Sequence, residues 1–293
     1  MSRSVRIRVP GTSANLGPGF DSLGCAFSVY NYLTFCEAEK TEIEGCPPEF
    51  SGEDNLALVA FRAAEKRAGR PACHVKIQVQ THVPSAGGLG SSATLLAGGA
   101  MGANALLGLG LDRKTLLDLV TELEGHPDNA APALYGGLTA SMMDNGHPVT
   151  VSLPLHESYR FCAFIPDFHT DTRAARRVLP KSVPHRDAVY NVSHALLLGA
   201  AFASGDTELL TLALHDRLHE PYRRSLIEGY DAVEEAALSR GAHAFFLSGS
   251  GSTLMAVYTD PEFPERVLPQ ISAMPHRWTV LPLLPDRDGA CVL

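Results

Sequence analysis

The chain has 293 residues, with 24 Lys and Arg against 32 Asp and Glu, which gives a formal net charge of −8. This length suits one large domain or two domains of roughly 100–200 residues each, and it can bury a core without disulfides or metals. The acidic balance argues against a nucleic-acid-binding protein, which needs a basic face.

The cysteines and the hydropathy predict a cytoplasmic protein. Six cysteines at irregular spacing, with no CxxC pair, are typical of reduced thiols. The first residues, MSRSVRIRVP, lack the apolar core of a signal peptide. No run reaches the ~18 apolar residues that a membrane helix needs. We therefore expect neither a membrane nor a nucleic acid among the partners.

The apolar spacing predicts strands and helices in alternation along both halves of the chain. In the first half, strands are expected near 5–9, 28–37, 75–79 and 136–143, and helices near 56–64, from 91 onward and near 115–124. Pro10-Gly11 predicts a turn after the first strand. In the second half, strands are expected near 161–165, 244–247 and 254–258, and helices over 187–204, 208–218 and 225–239. The pattern indicates a two-layered α+β class with domains of 1–155 and 156–293.

The most informative segment has the sequence PSAGGLGSSA and spans residues 84–93. Its glycines have no side chains, so several backbone N–H groups can converge on one anion. Ser91 and Ser92 then begin a helix, whose first N–H groups are unpaired and whose dipole end is positive. We therefore favour a phosphate-binding loop.

Two other interpretations of this loop stay open. Gly88, Gly90 and Ala93 fit the dinucleotide pattern G-x-G-x-x-A. However, Pro84 separates the strand from the loop, and Asp112, at the spacing of the expected acidic residue, precedes a helix. The other interpretation is an ordinary Gly-rich loop with a serine cap. A Walker A loop is excluded because no Lys follows the glycines.

A second polar loop lies between two predicted strands and has the sequence PGTSANLGPGFDSLG, over residues 10–24. Its composition alone is typical of an ordinary loop with Asx turns. Its position between strong strands favours a functional loop, because binding residues concentrate on loops that a rigid scaffold holds.

Four segments together resemble the GHMP small-molecule kinases: PGTSANLGPGFDSLG, PSAGGLGSSA, EGHPDNAAPALYGG and LSGSGS, in that order. The resemblance runs from Val5 to about Tyr258, and SANLGPGFD with GHPDN indicates the branch that acts on homoserine. It implies a two-domain GHMP-kinase fold, with a ribosomal-protein-S5-like α/β N-terminal domain and a ferredoxin-like α+β C-terminal domain. It also implies Mg²⁺-ATP-dependent phosphorylation of the L-homoserine hydroxyl in threonine biosynthesis.

The resemblance implies that the Gly-rich loop wraps the phosphates of ATP. The residues implied in this contact are Pro84, Ser85, Ala86, Gly87, Gly88, Leu89, Gly90, Ser91 and Ser92. Ser92 and Glu124 are implied as Mg²⁺ ligands, with Glu122 as the alternative to Glu124, and hydroxyl, carboxylate and phosphate oxygens suit this ion. For the adenine, only Asn55 is implied.

The resemblance also implies a pocket for a zwitterionic amino acid. Arg176 and Arg223 are implied to bind its carboxylate, which suits the fork of a guanidinium group, with Thr172 nearby. Asp21, with Asn15 beside it, is implied to accept the ammonium group.

The residue implied to hold the reacting hydroxyl is Asn129, with His126 in the same loop. Several GHMP relatives have Asp at this position, whereas an amide cannot accept the proton. Phosphoryl transfer has a loose transition state, so positioning and charge neutralisation can carry most of the catalysis. We hypothesise in-line attack without a side-chain base, with the neighbouring Asp128 as the alternative base.

Two positions depart from the family pattern. Gly87 stands where the loop usually has Arg, and Ser252 stands where the C-terminal turn usually has Pro. We expect these departures to bear on affinity and rate rather than on the class of reaction.

Other functions and states stay open at this point. The alternatives are a sister GHMP kinase acting on threonine or mevalonate, a non-catalytic nucleotide or amino-acid sensor, and a dinucleotide oxidoreductase. A homodimer is an option that the resemblance implies. His215 and His219, four residues apart, form a candidate metal pair, but surface or capping roles are favoured because no third ligand has a suitable spacing.

Overall fold

The computed structural model describes residues 3–85 and 87–293. Ala86, one of the residues implied in nucleotide binding, lies outside the described residues. The first half of the chain contains β1 (Ser4–Ala14), β2 (Leu23–Glu37), β3 (Glu42–Glu44), α1 (Leu56–Arg67), β4 (Val75–Gln80), α2 (Ser91–Leu107), α3 (Arg113–Glu124), α4 (Pro127–Tyr135), β5 (Leu138–Asp144) and β6 (His147–Leu153). The second half contains β7 (Arg160–Pro166), α5 (Thr172–Arg177), α6 (His185–Ser204), α7 (Thr207–Ala213), α8 (Glu220–Arg223), α9 (Tyr230–Ser239), β8 (Ala244–Leu247), β9 (Leu254–Tyr258), α10 (Phe263–Ser272), β10 (Trp278–Leu283) and β11 (Cys291–Val292).

Two sheets organise the molecule, and the predicted α+β class is confirmed. The first sheet follows the order β11-β1-β2-β4-β3, and β5 and β6 continue from β2. The second sheet is antiparallel, in the order β10-β7-β9-β8. Helix α2 packs closely on β2, since Gly98 faces Leu33 and Gly102 faces Phe35. Small residues therefore allow this helix to pack closely against the first sheet.

The C-terminal residues return to the first sheet. Strand β11 pairs with β1, with Ile7 opposite Val292. The proposed boundary at residue 155 falls between β6 and β7, which belong to different sheets. The division into 1–155 and 156–293 stays a prediction, and β11 departs from it because it pairs with β1 in the first sheet.

The predicted turn at Pro10-Gly11 is wrong. Strand β1 continues to Ala14, and its pairing with β2 shifts register between Pro10 and Gly11. A bulge tolerates a proline because the missing N–H falls where the ladder is interrupted. The longer strand carries Thr12 to the edge of the site.

The predicted helix over 208–218 is also too long, because α7 ends at Ala213. The Asp216 carboxylate accepts hydrogen bonds from the backbone N–H groups of Leu218, His219 and Glu220. Because the Asp216 carboxylate satisfies the free N–H groups of a helix start, a separate helix, α8, begins here and α7 does not continue.

No helix within residues 3–85 and 87–293 has the length and apolar character that a membrane crossing requires. All six cysteines are free thiols.

Candidate active site

A cavity of about 380 Å³ opens where the two halves of the chain meet. Its walls come from the N-terminal loop, the Gly-rich loop, the start of α4, helices α5 and α8, and the turn at 248–252. The predicted site residues that line it are Asn15, Asp21, Pro84, Ser85, Gly87, Gly88, Gly90, Ser91, Ser92, Glu124, His126, Asn129, Thr172, Arg176 and Arg223. The structure therefore brings together residues as far apart in the sequence as Asn15 and Arg223.

The N-terminus of α2 faces this cavity as an open anion site. Gly90 is its N-cap, with φ +65°, and among the described residues no side chain caps the helix. A Cβ at Gly90 would overlap the Thr12 hydroxyl, and one at Gly88 would overlap the Ser248 carbonyl. Only glycine therefore fits at these two positions. Because no side chain of the described residues caps the helix, its first backbone N–H groups can bind a phosphate.

Two of the implied nucleotide contacts lie elsewhere. Leu89 is buried in the core, and its carbonyl accepts a hydrogen bond from the Thr12 N–H at 3.0 Å. Asn55 is the N-cap of α1: its Oδ1 accepts from Ala57 N–H at 3.0 Å, and its Nδ2 donates to the Phe50 carbonyl at 2.7 Å. The side-chain groups of Asn55 are thus engaged in holding its own helix, and its contact with adenine stays a prediction.

Ser92 and Glu124 meet on one wall of the cavity. The Ser92 hydroxyl donates to Glu124 Oε2 at 2.7 Å. Burial raises the pKa of Glu124, and the hydrogen bond from Ser92 opposes this rise. The alternative ligand, Glu122, lies on the outer surface, where it forms an ion pair with Arg67 at 2.8 Å.

The donor set fits Mg²⁺ only in part. The hydroxyl and carboxylate oxygens of Ser92 and Glu124 are hard donors of the kind that Mg²⁺ prefers. Within residues 3–85 and 87–293, no cluster of three or more His, Cys, Asp or Glu side chains could hold a metal ion. The pair therefore fits an ion whose remaining ligands are phosphate oxygens and water.

Two side chains of opposite charge, Asp21 and Arg176, form an ion pair in the same cavity. Arg176 contacts Asp21 with both terminal nitrogens, Nη2 at 3.1 Å from Oδ1 and Nη1 at 3.3 Å from Oδ2. Both side chains are more than a third exposed, and an exposed ion pair contributes little to stability. A zwitterionic ligand can therefore replace this pair, with its carboxylate on Arg176 and its ammonium group on Asp21.

The loop that carries Asp21 has an unusual backbone. Asn15, Leu16 and Asp21 all have positive φ, of 72°, 45° and 53°. The Asn15 side chain compensates, since its Oδ1 accepts from Asp21 N–H at 3.0 Å and its Nδ2 donates to the Gly249 carbonyl at 2.9 Å. Such backbone conformations persist only where surrounding contacts hold them, and they concentrate at ligand sites.

Arg223 is buried beside this loop, with 2% of its surface exposed. Burial lowers its pKa, and the charge of Arg176 lowers it further. The hydroxyls of Thr172 and Ser250, which also line the cavity, are 3.3 Å apart. Two cationic side chains this close together form a site suited to a carboxylate.

The segment EGHPDN is mostly a helix start rather than a loop, because Pro127 occupies the first position of α4. Asn129 therefore lies in the first turn of a helix. Thr12 donates to its Oδ1 at 2.8 Å, which leaves the amide N–H₂ group to face the cavity. Sequence reasoning missed Thr12, although it lies within the polar loop of residues 10–24.

His126 and Asp128 form a close pair at the same end of the cavity. The His126 Nδ1 lies 2.5 Å from Asp128 Oδ1. Burial lowers the pKa of His126, but the hydrogen bond and the charge of Asp128 outweigh it, so that the pKa is raised overall. The Asp128 carboxylate is thus committed to the imidazole ring.

The two departures from the family pattern touch each other. Gly87 has φ +117°, and a Cβ there would lie 3.0 Å from the Ser252 hydroxyl. Thr253 N–H donates to the Gly87 carbonyl at 2.7 Å, and the Ser252 hydroxyl donates to the Phe168 carbonyl at 2.9 Å. Gly87 and Ser252 therefore lie side by side where the phosphate loop meets the C-terminal turn, and the hydrogen bond from Thr253 joins the two segments.

Comparison with known proteins agrees with this geometry. Residues 55–137 match the family model of the GHMP kinases N terminal domain, and residues 199–276 match that of the GHMP kinases C terminal. The fold and the cavity define a small-molecule kinase, and the chain belongs to the GHMP kinase family. This membership excludes the dinucleotide oxidoreductase alternative.

Within the family, the chain is similar to homoserine kinases over nearly its full length. It is 40% identical to one from Clostridium botulinum, over 98% of each chain. It is 45% identical to one from Synechococcus sp., over 90% of this chain and 88% of that relative. The crystal structure of homoserine kinase from Cytophaga hutchinsonii superposes with a TM-score of 0.90 at 28% identity, over 100% of this chain and 98% of that one.

Proposed function

We propose that the chain transfers the γ-phosphoryl group of ATP to the side-chain hydroxyl of L-homoserine, giving O-phospho-L-homoserine for threonine biosynthesis. One observation carries the proposal: an open helix N-terminus and the charge pair of Asp21 and Arg176 share one cavity. The first group suits a phosphate donor, and the second suits a zwitterionic acceptor. The homoserine kinase relatives support the same assignment.

The residues of the phosphate end hold and neutralise the donor. Backbone N–H groups at the start of α2 bind phosphate oxygens, which places the γ-phosphoryl group beside Asn129. Ser92 and Glu124 would hold Mg²⁺, which supplies charge neutralisation on the phosphates when bound. Glu122 is too far out on the surface to share this role.

The residues of the substrate end orient the acceptor. Arg176 and Arg223 bind the carboxylate, and Asp21 accepts the ammonium group, with Asn15 holding Asp21 in place. The Asn129 amide then contacts the substrate hydroxyl, because Thr12 occupies its carbonyl oxygen.

Proton transfer needs no dedicated side-chain base in this proposal. Asn129 cannot accept a proton, and Asp128 is bound to His126 at 2.5 Å. The hydroxyl oxygen attacks the γ-phosphorus in line, the bond to the β-phosphate oxygen breaks, and the hydroxyl proton passes to a phosphate oxygen or to water. Positioning by Asn129 and the two arginines carries the catalysis.

ADP release across three alcohols tests the assignment. We expect kcat/KM for L-homoserine to exceed that for L-threonine and mevalonate by about 100-fold or more, because a site built for a primary hydroxyl and an ammonium group rejects analogues that lack either. A higher value for threonine or mevalonate would establish a sister kinase. No ADP with any of them, despite ATP binding, would establish the sensor alternative.

Three further proposals have separate grounds: the cysteines and the hydropathy indicate the location, the resemblance implies the homodimer, and the order of strands and helices indicates the domain division. We propose a cytoplasmic location, a homodimer, and two domains divided near residue 155. Light scattering measures the mass of the particle in solution, and a mass of one chain would rule out the homodimer.

A further inference from the structure

The Arg223 side chain contacts two backbone carbonyls and, in addition, the ring of His219. Its Nε donates to the Ala175 carbonyl at 3.1 Å, and its Nη1 donates to the Gly249 carbonyl at 3.0 Å. Its Nη1 also lies 3.4 Å from Nδ1 of His219, one helical turn earlier. The guanidinium group of Arg223, which lines the cavity, therefore also contacts the imidazole ring of His219.

His219 has no exposed surface, and its ring is fixed on two sides. Its Nε2 lies 2.9 Å from the Gly17 carbonyl, and the Phe20 ring stacks on it with centroids 5.0 Å apart. A carbonyl only accepts, so Nε2 carries the hydrogen, and Nδ1 presents its lone pair to Arg223. Burial lowers the pKa of His219, which keeps the ring neutral.

The groups that face His219 favour this one tautomer. Asp216 Oδ2 lies 3.8 Å from Nε2, on the side of the N–H, and Arg223 faces Nδ1. The charges of Asp216 and Asp21 raise the pKa of the ring, and that of Arg223 lowers it. Asp216 also accepts the His219 backbone N–H at 2.7 Å, which fixes the start of α8.

We infer that His219 is a positioning residue for the substrate carboxylate, because its single ring joins Arg223 to the loop that carries Asn15 and Asp21. This inference rests on the proposed function. The contact with Gly17 orients the ring, and the Nδ1 lone pair holds the guanidinium group toward the cavity. One neutral imidazole thereby couples the carboxylate-binding arginine to the ammonium-binding loop.

Two amide substitutions separate the two contacts. In His219→Gln, the amide reaches the position of Nε2, so the Gly17 contact is kept and the Arg223 contact is lost. In His219→Asn, the amide lies near the position of Nδ1, so an acceptor for Arg223 is kept. We expect His219→Gln to raise KM for L-homoserine about tenfold, the cost of one lost hydrogen bond to a charged group, and His219→Asn to restore most of it.

The substrate 3-aminopropan-1-ol, which lacks the carboxylate, provides the decisive comparison. It is measured as a substrate or, where its turnover is slow, as a competitor of L-homoserine. For 3-aminopropan-1-ol, we expect the KM, or the inhibition constant where it is measured as a competitor, to stay within twofold of wild type in His219→Gln. We expect the same of the KM for ATP. His215→Gln, at an exposed histidine four residues earlier, is the matched control and should change nothing.

A loss of equal size with both alcohols, or an equal rise in KM for ATP, would show a merely structural role and overturn the inference. If His219→Gln does not fold, ¹⁵N-histidine NMR of the wild-type enzyme decides the question. We expect a neutral Nε2–H tautomer whose Nδ1 signal moves when L-2-aminobutyrate binds. A charged ring or an Nδ1–H tautomer would also overturn it, whichever alcohol the enzyme phosphorylates.

Discussion

The two ends of the cavity are built in different ways. At the phosphate end, the groups proposed to bind are backbone N–H groups of one continuous segment, and glycines keep side chains out. At the substrate end, the groups proposed to bind are charged side chains from three separated segments, Asp21, Arg176 and Arg223, which an ion pair and hydrogen bonds hold in place. We therefore expect substitutions at the phosphate end to affect turnover and those at the substrate end to affect KM for the amino acid.

The largest effect is expected at the phosphate end, from Glu124→Gln. Loss of the carboxylate removes a proposed Mg²⁺ ligand and its charge, and we expect kcat to fall about 1,000-fold. Steady-state kinetics at saturating Mg²⁺ measure it. Glu122→Gln, on the exposed outer face, is the matched control and should stay within twofold of wild type.

The next largest effect is expected from Arg176→Ala, at the substrate end. We expect KM for L-homoserine to rise roughly 10–100-fold, the loss of a bidentate carboxylate contact, with KM for ATP unchanged. Arg177→Ala removes a neighbouring exposed arginine and should have little effect. If Arg176→Ala lowered kcat and left KM unchanged, the division between the two ends would be wrong.

Asp128→Asn lies between the two ends and tests the base-free mechanism. Removal of a general base costs about 100–10,000-fold. We expect less than about a tenfold loss of kcat, because Asp128 holds His126 and takes no proton from the substrate. A loss of several orders of magnitude, with KM unchanged, would identify Asp128 as the base.

The smallest effect concerns the stability of the substrate end. Glu220 begins α8 and accepts the Leu247 N–H at 2.8 Å, and burial raises its pKa to about 8. Between about pH 5 and 8, the Glu220 carboxyl is protonated in the folded state but ionised in the unfolded state, where its pKa is near 4.5. Glu220 therefore makes the free energy of unfolding fall as the pH rises through this range. Denaturant unfolding of Glu220→Gln across this range should show a flatter dependence on pH than wild type. An unchanged slope would show that Glu220 is ionised in the folded protein.

The same contrast explains which parts of the site can be predicted from sequence. The phosphate loop could be predicted from local physics, since its glycines, serines and helix start lie within ten residues. The arginines of the substrate end were indicated only through the resemblance, because an isolated Arg is typical of a solvated surface. The family and the α+β class are confirmed, whereas the roles of individual site residues stay predictions.

Residues that act through tertiary contacts escaped prediction. Thr12 acts on Asn129, 117 positions away, and nothing in either segment indicates the partner. The sequence indicates His219 only as a candidate metal pair with His215, yet its ring bonds to Gly17, 202 positions away. Likewise, β11 is a two-residue strand whose pairing with β1 depends on the completed sheet. The spacing of residues along the chain does not predict these tertiary contacts.

The most direct test of the account is a crystal structure with Mg²⁺, a non-hydrolysable ATP analogue and L-homoserine. We predict the triphosphate at the backbone N–H groups of residues 90–92, and the homoserine carboxylate on Arg176 and Arg223 with its hydroxyl facing the γ-phosphate beside Asn129. A triphosphate bound elsewhere, or an amino acid outside the cavity, would contradict the account.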